Sequence, residues 1–96
     1  MEETSGVFAI SVAAGMVSMQ VQNLRVYERR GLVDPDRTAK GTRLYSPADI
    51  ERLNRIRELL EDGLNLVGVG RVLTLEARVE HLEKENRRLR RPPRGR

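Results

Sequence analysis

The 96-residue sequence predicts a mainly α fold that carries one small β-hairpin and ends in a long heptad-patterned helix. Three observations predict it. Two short apolar-periodic segments, SVAAGM and VQNLRVYERR, are separated by only a few residues, the spacing of two helices joined by a tight turn. The stretch LVDPDRTAKGTRLY carries two turn signals flanked by residues that can extend. From Val72 onward apolar residues recur at alternating spacings of three and four, the seam of a coiled coil.

In chain order, Ser11 is the expected N-cap of a first helix over Ser11–Met16. A break at Val17–Met19 leads into the second helix, where Val21, Leu24 and Tyr27 or Glu28 share one packed face and leave the other open. Arg29 and Arg30 suit the negative end of that helix, and Gly31 suits the residue just beyond it. Leu32-Val33 and Arg43-Leu44-Tyr45 are the expected hairpin strands. Asp34-Pro35-Asp36 and Ala39-Lys40-Gly41 mark the turns, and Arg37, Lys40 and Arg43 form a basic tip. This hairpin reads as a wing on the helix-turn-helix.

Ser46-Pro47-Ala48-Asp49 has the form of a helix start, with Ser as cap, Pro at the first helical position and an acid at the third. Ile50, Leu53, Ile56 and Leu60 line one face of that helix until Gly63 stops it. Asn65 caps a further short helix, LVGVGRVL, in which Gly68 and Gly70 each cost roughly 1 kcal/mol against Ala and so imply a close approach or external support. The final helix places Val72, Leu75, Val79, Leu82, Asn86 and Leu89 on an a/d seam of nearly three heptads, expected to contribute to a dimer interface. Pro92-Pro93 ends it. The expected organisation is a flexible N-terminus (1–8), a winged helix-turn-helix domain (9–71), a coiled-coil dimerisation helix (72–91) and a disordered basic tail (92–96).

Charge is distributed unevenly. The formal net charge is +4, but residues 87–96 hold six arginines and no acid, so the remainder is net −2. Residues 20–43 carry six bases against three acids, a local excess of +3 on the second helix and the wing. Nucleic-acid binding is therefore argued from that stretch; the tail adds only non-specific, salt-sensitive affinity.

Zero cysteine excludes disulfides, thiolate metal sites and thiol redox chemistry. Length excludes the large enzyme folds, and the aromatic content of 3% leaves little material to wall off a substrate cavity. No nucleophile sits in a catalytic setting, and Gly68-Val69-Gly70 lacks the strand and spacing of a phosphate loop. His81 falls at a c-like heptad position facing water. No catalytic residue, metal site or cofactor is expected. No apolar run approaches the ~20 residues of a bilayer span, and the acidic start lacks the basic region of a signal peptide, so a cytoplasmic location is expected.

A recognition helix presents its N-terminal side chains to base edges, which here are Gln20, Gln22, Asn23 and, a turn on, Arg25. Gln and Asn pair bidentately with adenine and Arg with guanine, although each can also be a solvated polar residue. Arg29 extends the same helix, while Arg37, Lys40, Arg43 and the hydroxyls of Tyr27 and Tyr45 are candidate phosphate contacts. Tyr27 is alternatively a half-buried packing residue.

Leu24-Arg25-Val26-Tyr27-Glu28-Arg29-Arg30-Gly31-Leu32, Arg43-Leu44-Tyr45-Ser46 and Asp49-Ile50-Glu51-Arg52-Leu53-Asn54-Arg55-Ile56 together resemble the DNA-binding domain of the MerR family of bacterial transcription regulators. The resemblance spans about residues 9–89. Ile10-Ser11-Val12-Ala13-Ala14 and Gly63-Leu64-Asn65-Leu66-Val67-Gly68-Val69 resemble the heat-shock repressor (HspR-like) branch. The resemblance implies a winged helix-turn-helix (MerR-like) homodimer, joined by its last helices, that binds a palindromic promoter element on double-stranded DNA. It also implies repression of chaperone genes with an Hsp70-type chaperone as co-repressor. It assigns Arg25 a DNA contact, Tyr27 a phosphate contact and Arg43 a wing contact. Ser18 departs from the family's turn glycine, Gln20 from its usual cap, and Val26 from a polar or aromatic residue. Alternative readings are a protein-interaction module or an architectural DNA-binding module without a specific operator.

Overall fold

Phe8 pairs with Tyr45, and this contact across 37 residues of chain sets the first boundary of the fold. The structure, a computed structural model, describes residues 5–91; the expected basic tail at 92–96 lies outside the described residues. Its element order is β1 (Phe8–Ala9), α1 (Ile10–Met16), α2 (Val21–Arg29), β2 (Asp36–Arg37), β3 (Arg43–Tyr45), α3 (Pro47–Glu61) and α4 (Leu66–Arg90). The chain divides into two units, one up to Gly63 and one from Leu64 onward.

In the first unit the sheet is antiparallel with order β1-β3-β2, three strands where the sequence predicts two. Ala9 pairs with Leu44, while Asp36 and Arg37 pair with Leu44 and Arg43. The added strand extends into the segment expected to be a flexible leader. The Val7 amide donates to the Tyr45 carbonyl at 2.9 Å, and the Gly6 amide donates to Asp36 Oδ2 at 2.9 Å. A Cβ on Gly6 would stand 2.6 Å from the Leu44 carbonyl oxygen, so the close pairing requires glycine.

This strand also moves the start of α1. The cap is Ala9 in extended backbone with no side-chain hydrogen bond, not Ser11. The chain leaves β1 already aimed into the helix, so the sheet rather than a hydroxyl defines its beginning. Ala13, Ala14 and Val17 are buried, and α1 packs on α2, β1 and β3.

Helices α1 and α2 end in the same way. After α1, Met19 N–H donates to Ala14 O and Ser18 N–H to Gly15 O; after α2, Leu32 N–H donates to Tyr27 O and Gly31 N–H to Glu28 O. Both are the paired 6→1 and 5→2 bonds of a Schellman end. The pattern places Ser18 at φ 55° and Gly31 at φ 74°, in the left-handed region where glycine is at ease and serine is not. The substitution of the turn glycine by Ser18 therefore strains the turn without reshaping it.

Leu32 and Val33 are buried and not a strand. The Schellman end turns Leu32 back toward α2, and Pro35, which lacks an N–H, delays ladder pairing to Asp36. The Arg52 Nε donates to the Leu32 carbonyl and fastens this linker to α3.

Helix α3 starts as its sequence predicts. Ser46 Oγ accepts from the Asp49 amide and Asp49 Oδ2 from the Ser46 amide, both at 2.9 Å, with Pro47 at the first turn. Its buried face is Ile50, Leu53, Ile56 and Leu59; Leu60, expected in that row, is only half-buried. At 100° per residue both Leu59 and Leu60 lie near the stripe, so sequence spacing alone does not separate them.

In the second unit a single helix, α4, replaces the two helices expected from Asn65 onward. Asn65 Oδ1 accepts from the Gly68 amide at 2.9 Å, and no proline or second cap interrupts the 25 residues that follow. A Cβ on Gly68 would meet Asn65 and Leu64 at 3.5–3.6 Å, an ordinary contact, so close approach does not explain this glycine. Leu75, Val79, Leu82 and Leu89 are exposed along one stripe, up to 69% at Leu89, and Asn86 and His81 are exposed as well. Ion pairs Lys84–Glu80 (3.3 Å) and Arg88–Glu85 lie along the surface of α4.

Candidate nucleic-acid interface

The open face of α2 is built by periodicity. Leu24 and Tyr27 turn inward, which leaves Gln22, Arg25 and Arg29 exposed at i, i+3 and i+7 with half-buried Val26 between them. Gln20 and Asn23 are exposed at the helix start. Gln20 is the N-cap residue but its side chain makes no cap bond, so the amides of Val21 and Gln22 have no intrahelical acceptor. Arg25 and Arg29 make no hydrogen bond or ion pair to other described residues, so both cations face solvent.

A shallow groove of about 500 Å3 adjoins this helix start. The turn residues Ser18 and Met19 and the α2 residues Gln20, Asn23 and Tyr27 line one side of it; Arg57, Leu60 and Glu61 of α3 line the other. Arg57 donates to Asn54 Oδ1 at 3.1 Å and pairs with Glu61 at 3.7 Å. The α3 residues carried no sequence signal for this position, because only packing brings them beside α2.

The wing differs from its sequence reading in what its cations do. Lys40 sits exposed at the tip, in a loop closed by Thr38 N–H to Thr42 O (2.8 Å) and Thr42 N–H to Thr38 Oγ1 (3.1 Å). Arg37 and Arg43, expected to hold phosphates, both donate to Glu28 on α2. The Arg37 Nη2 reaches Glu28 Oε2 at 2.7 Å and the Arg43 Nε reaches Glu28 Oε1. Arg37 Nη1 also donates to the Gly41 carbonyl at 2.9 Å, so one guanidinium ties the wing tip to α2. Burial pushes the Glu28 carboxyl up, but the bonds from Arg43 and Arg37 outweigh it and hold it below the usual glutamate value. No sequence spacing signals this cluster, because its members lie nine and fifteen residues apart and meet only through the fold.

Neither tyrosine projects. Tyr45 is 0% exposed, and its hydroxyl is buried without a hydrogen-bond partner, so it is a core residue and not the phosphate contact expected of it. Tyr27 is 5% exposed and acts as packing beneath the helix start, showing only the side that lines the groove. Burial raises the pKa of both hydroxyls.

Among the described residues no group of His, Asp and Glu is arranged to hold a metal ion, and no helix is long and apolar enough to cross a membrane.

The surface thus combines an open polar helix face, a basic wing tip and a turn that joins them. Residues 8–76 match the family described as MerR HTH family regulatory protein. A heat shock protein HspR of Streptomyces coelicolor is 46% identical over 82 residues, which cover 84% of this chain and 54% of the relative. This chain accordingly spans about half the length of the curated relatives it matches. Among solved structures, the N-terminal part of MtaN, the Bacillus subtilis multidrug transporter activator, superposes with a TM-score of 0.67 at 28% identity, covering 86% of this chain and 88% of that one. HiNmlR, a MerR family regulator lacking the sensor domain and bound to promoter DNA, shares the fold at a TM-score of 0.64 and 22% identity over 85% of this chain and 69% of its own. With the family match spanning most of the sequence and the same helix-turn-helix, wing and following helix in the structure, this chain belongs to the MerR family of helix-turn-helix regulatory proteins.

Proposed function

We propose that this chain is a sequence-specific double-stranded DNA-binding transcription regulator, a homodimer that represses stress or chaperone genes from a palindromic promoter element. The observation that carries the reading is the open face of α2, where Gln22, Arg25 and Arg29 stand exposed with Gln20 and Asn23 at the helix start. Asn23, Gln22 and Arg25 read base edges in the major groove, and Lys40 at the wing tip binds phosphate. The similarity to the heat shock protein HspR of Streptomyces coelicolor supports stress genes as the target; an Hsp70-type chaperone is the co-repressor that the resemblance to that branch implies.

The exposed stripe Leu75, Val79, Leu82 and Leu89, with Val72 half-buried and Asn86 within the seam, supports dimerisation through α4. A two-fold dimer would read a palindrome, each protomer taking one half-site.

The test is salt-titrated binding to a duplex that the protein enriches from a randomised pool, beside a random duplex of the same length. Arg25→Ala is expected to weaken the enriched duplex selectively, by about 1–3 kcal/mol. Lys40→Ala is expected to weaken both duplexes alike. Equal affinity of the unaltered protein for both would leave an architectural or protein-interaction module in place of a specific regulator.

A further inference from the structure

We infer that Glu28 is a specificity-determining positioning residue, which withholds the wing arginines Arg37 and Arg43 from non-specific phosphates and fixes the wing against the recognition helix. The inference rests on the reading of the α2–wing surface as a DNA interface.

Glu28 is the only residue of α2 with two ion pairs to the wing among the described residues. Its side chain is 17% exposed, against 26% for Arg43 and 46% for Arg37, so the carboxylate sits beneath the cations it binds. Each of its oxygens serves a different arginine, and the two arginines pair directly across the strands β2 and β3. One carboxylate therefore holds both strands of the wing hairpin. Arg37 passes the constraint outward by its second bond to the Gly41 carbonyl beside Lys40 at the tip. A glutamate is ionised in the neutral range, and the bonds from Arg43 and Arg37 hold Glu28 lower still.

Two effects on recognition follow. An arginine held by a carboxylate is a weaker phosphate binder than one in water, because a phosphate must displace its partner. Phosphate contacts are sequence-independent, so holding the two arginines lowers affinity for every duplex and leaves the base contacts of Arg25, Asn23 and Gln22 a larger share of the binding. The clamp also sets the distance between Lys40 and the open face of α2, so phosphate and base contacts are made in one register. Arg25 and Arg29 on α2 and Lys40 at the tip, which lack such a partner among the described residues, are cations left for direct contact.

The experiment compares unaltered protein, Glu28→Gln and Arg37→Gln on the pool-enriched duplex and on a random duplex, each as log affinity against log salt. Each added phosphate contact steepens the slope by about 0.9. Glu28→Gln is expected to bind the random duplex about tenfold more tightly near 0.1 M salt, with a slope steeper by roughly 1–2 per protomer, and to gain less on the enriched duplex, because the freed wing no longer holds Lys40 in register with the base contacts, so that its preference falls. A thermal melt of Glu28→Gln beside the unaltered protein separates a released wing from an unfolded chain, and a cooperative melt is expected. Arg37→Gln is expected to leave the random-duplex slope unchanged, because that guanidinium is already engaged. The inference is overturned if Glu28→Gln leaves the slope and preference as they were, or if Arg37→Gln flattens the slope by about 0.9. If the unaltered protein itself has no preference among duplexes, the regulator reading fails and takes this inference with it; if it has one and only the variants disagree, the regulator reading stands.

Discussion

Glu28 on α2 and Arg37 on the wing are joined at 2.7 Å, across nine residues of chain and between two elements that share no other ion pair except Glu28–Arg43 among the described residues. The pair makes the wing part of the helix-turn-helix rather than a loop beside it.

The clamp titrates with a definite sign. Glu28 is held below its ordinary value of 4.5 by Arg43 and Arg37, against the opposing push of burial, and Tyr45 is the other titratable group beside it. A depressed carboxylate contributes stability that is fully present above its unfolded value and is lost as pH falls through its lower folded value. The stability difference between the unaltered protein and Glu28→Gln should therefore stay constant from about pH 8 to 5 and shrink below about 4.5, as measured by urea unfolding across pH.

Tyr45→Phe separates a core tyrosine from a phosphate contact. Removing a buried hydroxyl that has no partner is expected to leave stability unchanged or raise it by up to about 1 kcal/mol, because the desolvation cost goes with it. DNA affinity and salt slope should be unaltered. A drop in slope would return Tyr45 to the DNA surface.

Ser18→Gly is expected to stabilise the fold. The left-handed conformation costs a non-glycine residue about 1–2 kcal/mol, and the added freedom of glycine in the unfolded chain takes back about 0.4–1 kcal/mol. The net gain should be roughly 0.5–1 kcal/mol in urea unfolding. A loss would mean that the Ser18 side chain holds the turn.

Ser46→Ala breaks a two-way cap whose serine is 3% exposed. The expected cost is about 1–2 kcal/mol, at the upper end for caps because the freed Asp49 amide is part-buried. In contrast, Gly68→Ala should raise the helicity and melting temperature of α4, by up to about 1 kcal/mol, since its Cβ meets only ordinary contacts.

Local chemistry was legible where the physical cause lies within a few residues and no strand pairing overrides it, as the pairing of β1 does at Ser11. The Ser46–Asp49 cap, the Gly31 stop, the Asn65 cap and the apolar alternation of α3 all depend on neighbours within one turn, and all appear as expected or shifted by a single position. The open face of α2 was legible for the same reason, since Leu24 and Tyr27 define it by period alone. Even the strain at Ser18 could be anticipated, because the turn needs a left-handed residue whatever occupies it.

The sequence by itself thus determined α2 and α3, the caps at Ser46 and Asn65, the heptad stripe and the polar face of α2, because hydrogen bonds and side-chain periods within a turn depend on nothing further away. Tertiary structure alone decided the third strand at Phe8–Ala9, the burial of Tyr45 and the capture of Arg37 and Arg43 by Glu28. Strand pairing and charge pairing join residues far apart in sequence. Whether a basic residue faces DNA or an internal carboxylate depends on which partner the fold brings within about 3 Å, the range in which a charge-assisted hydrogen bond forms.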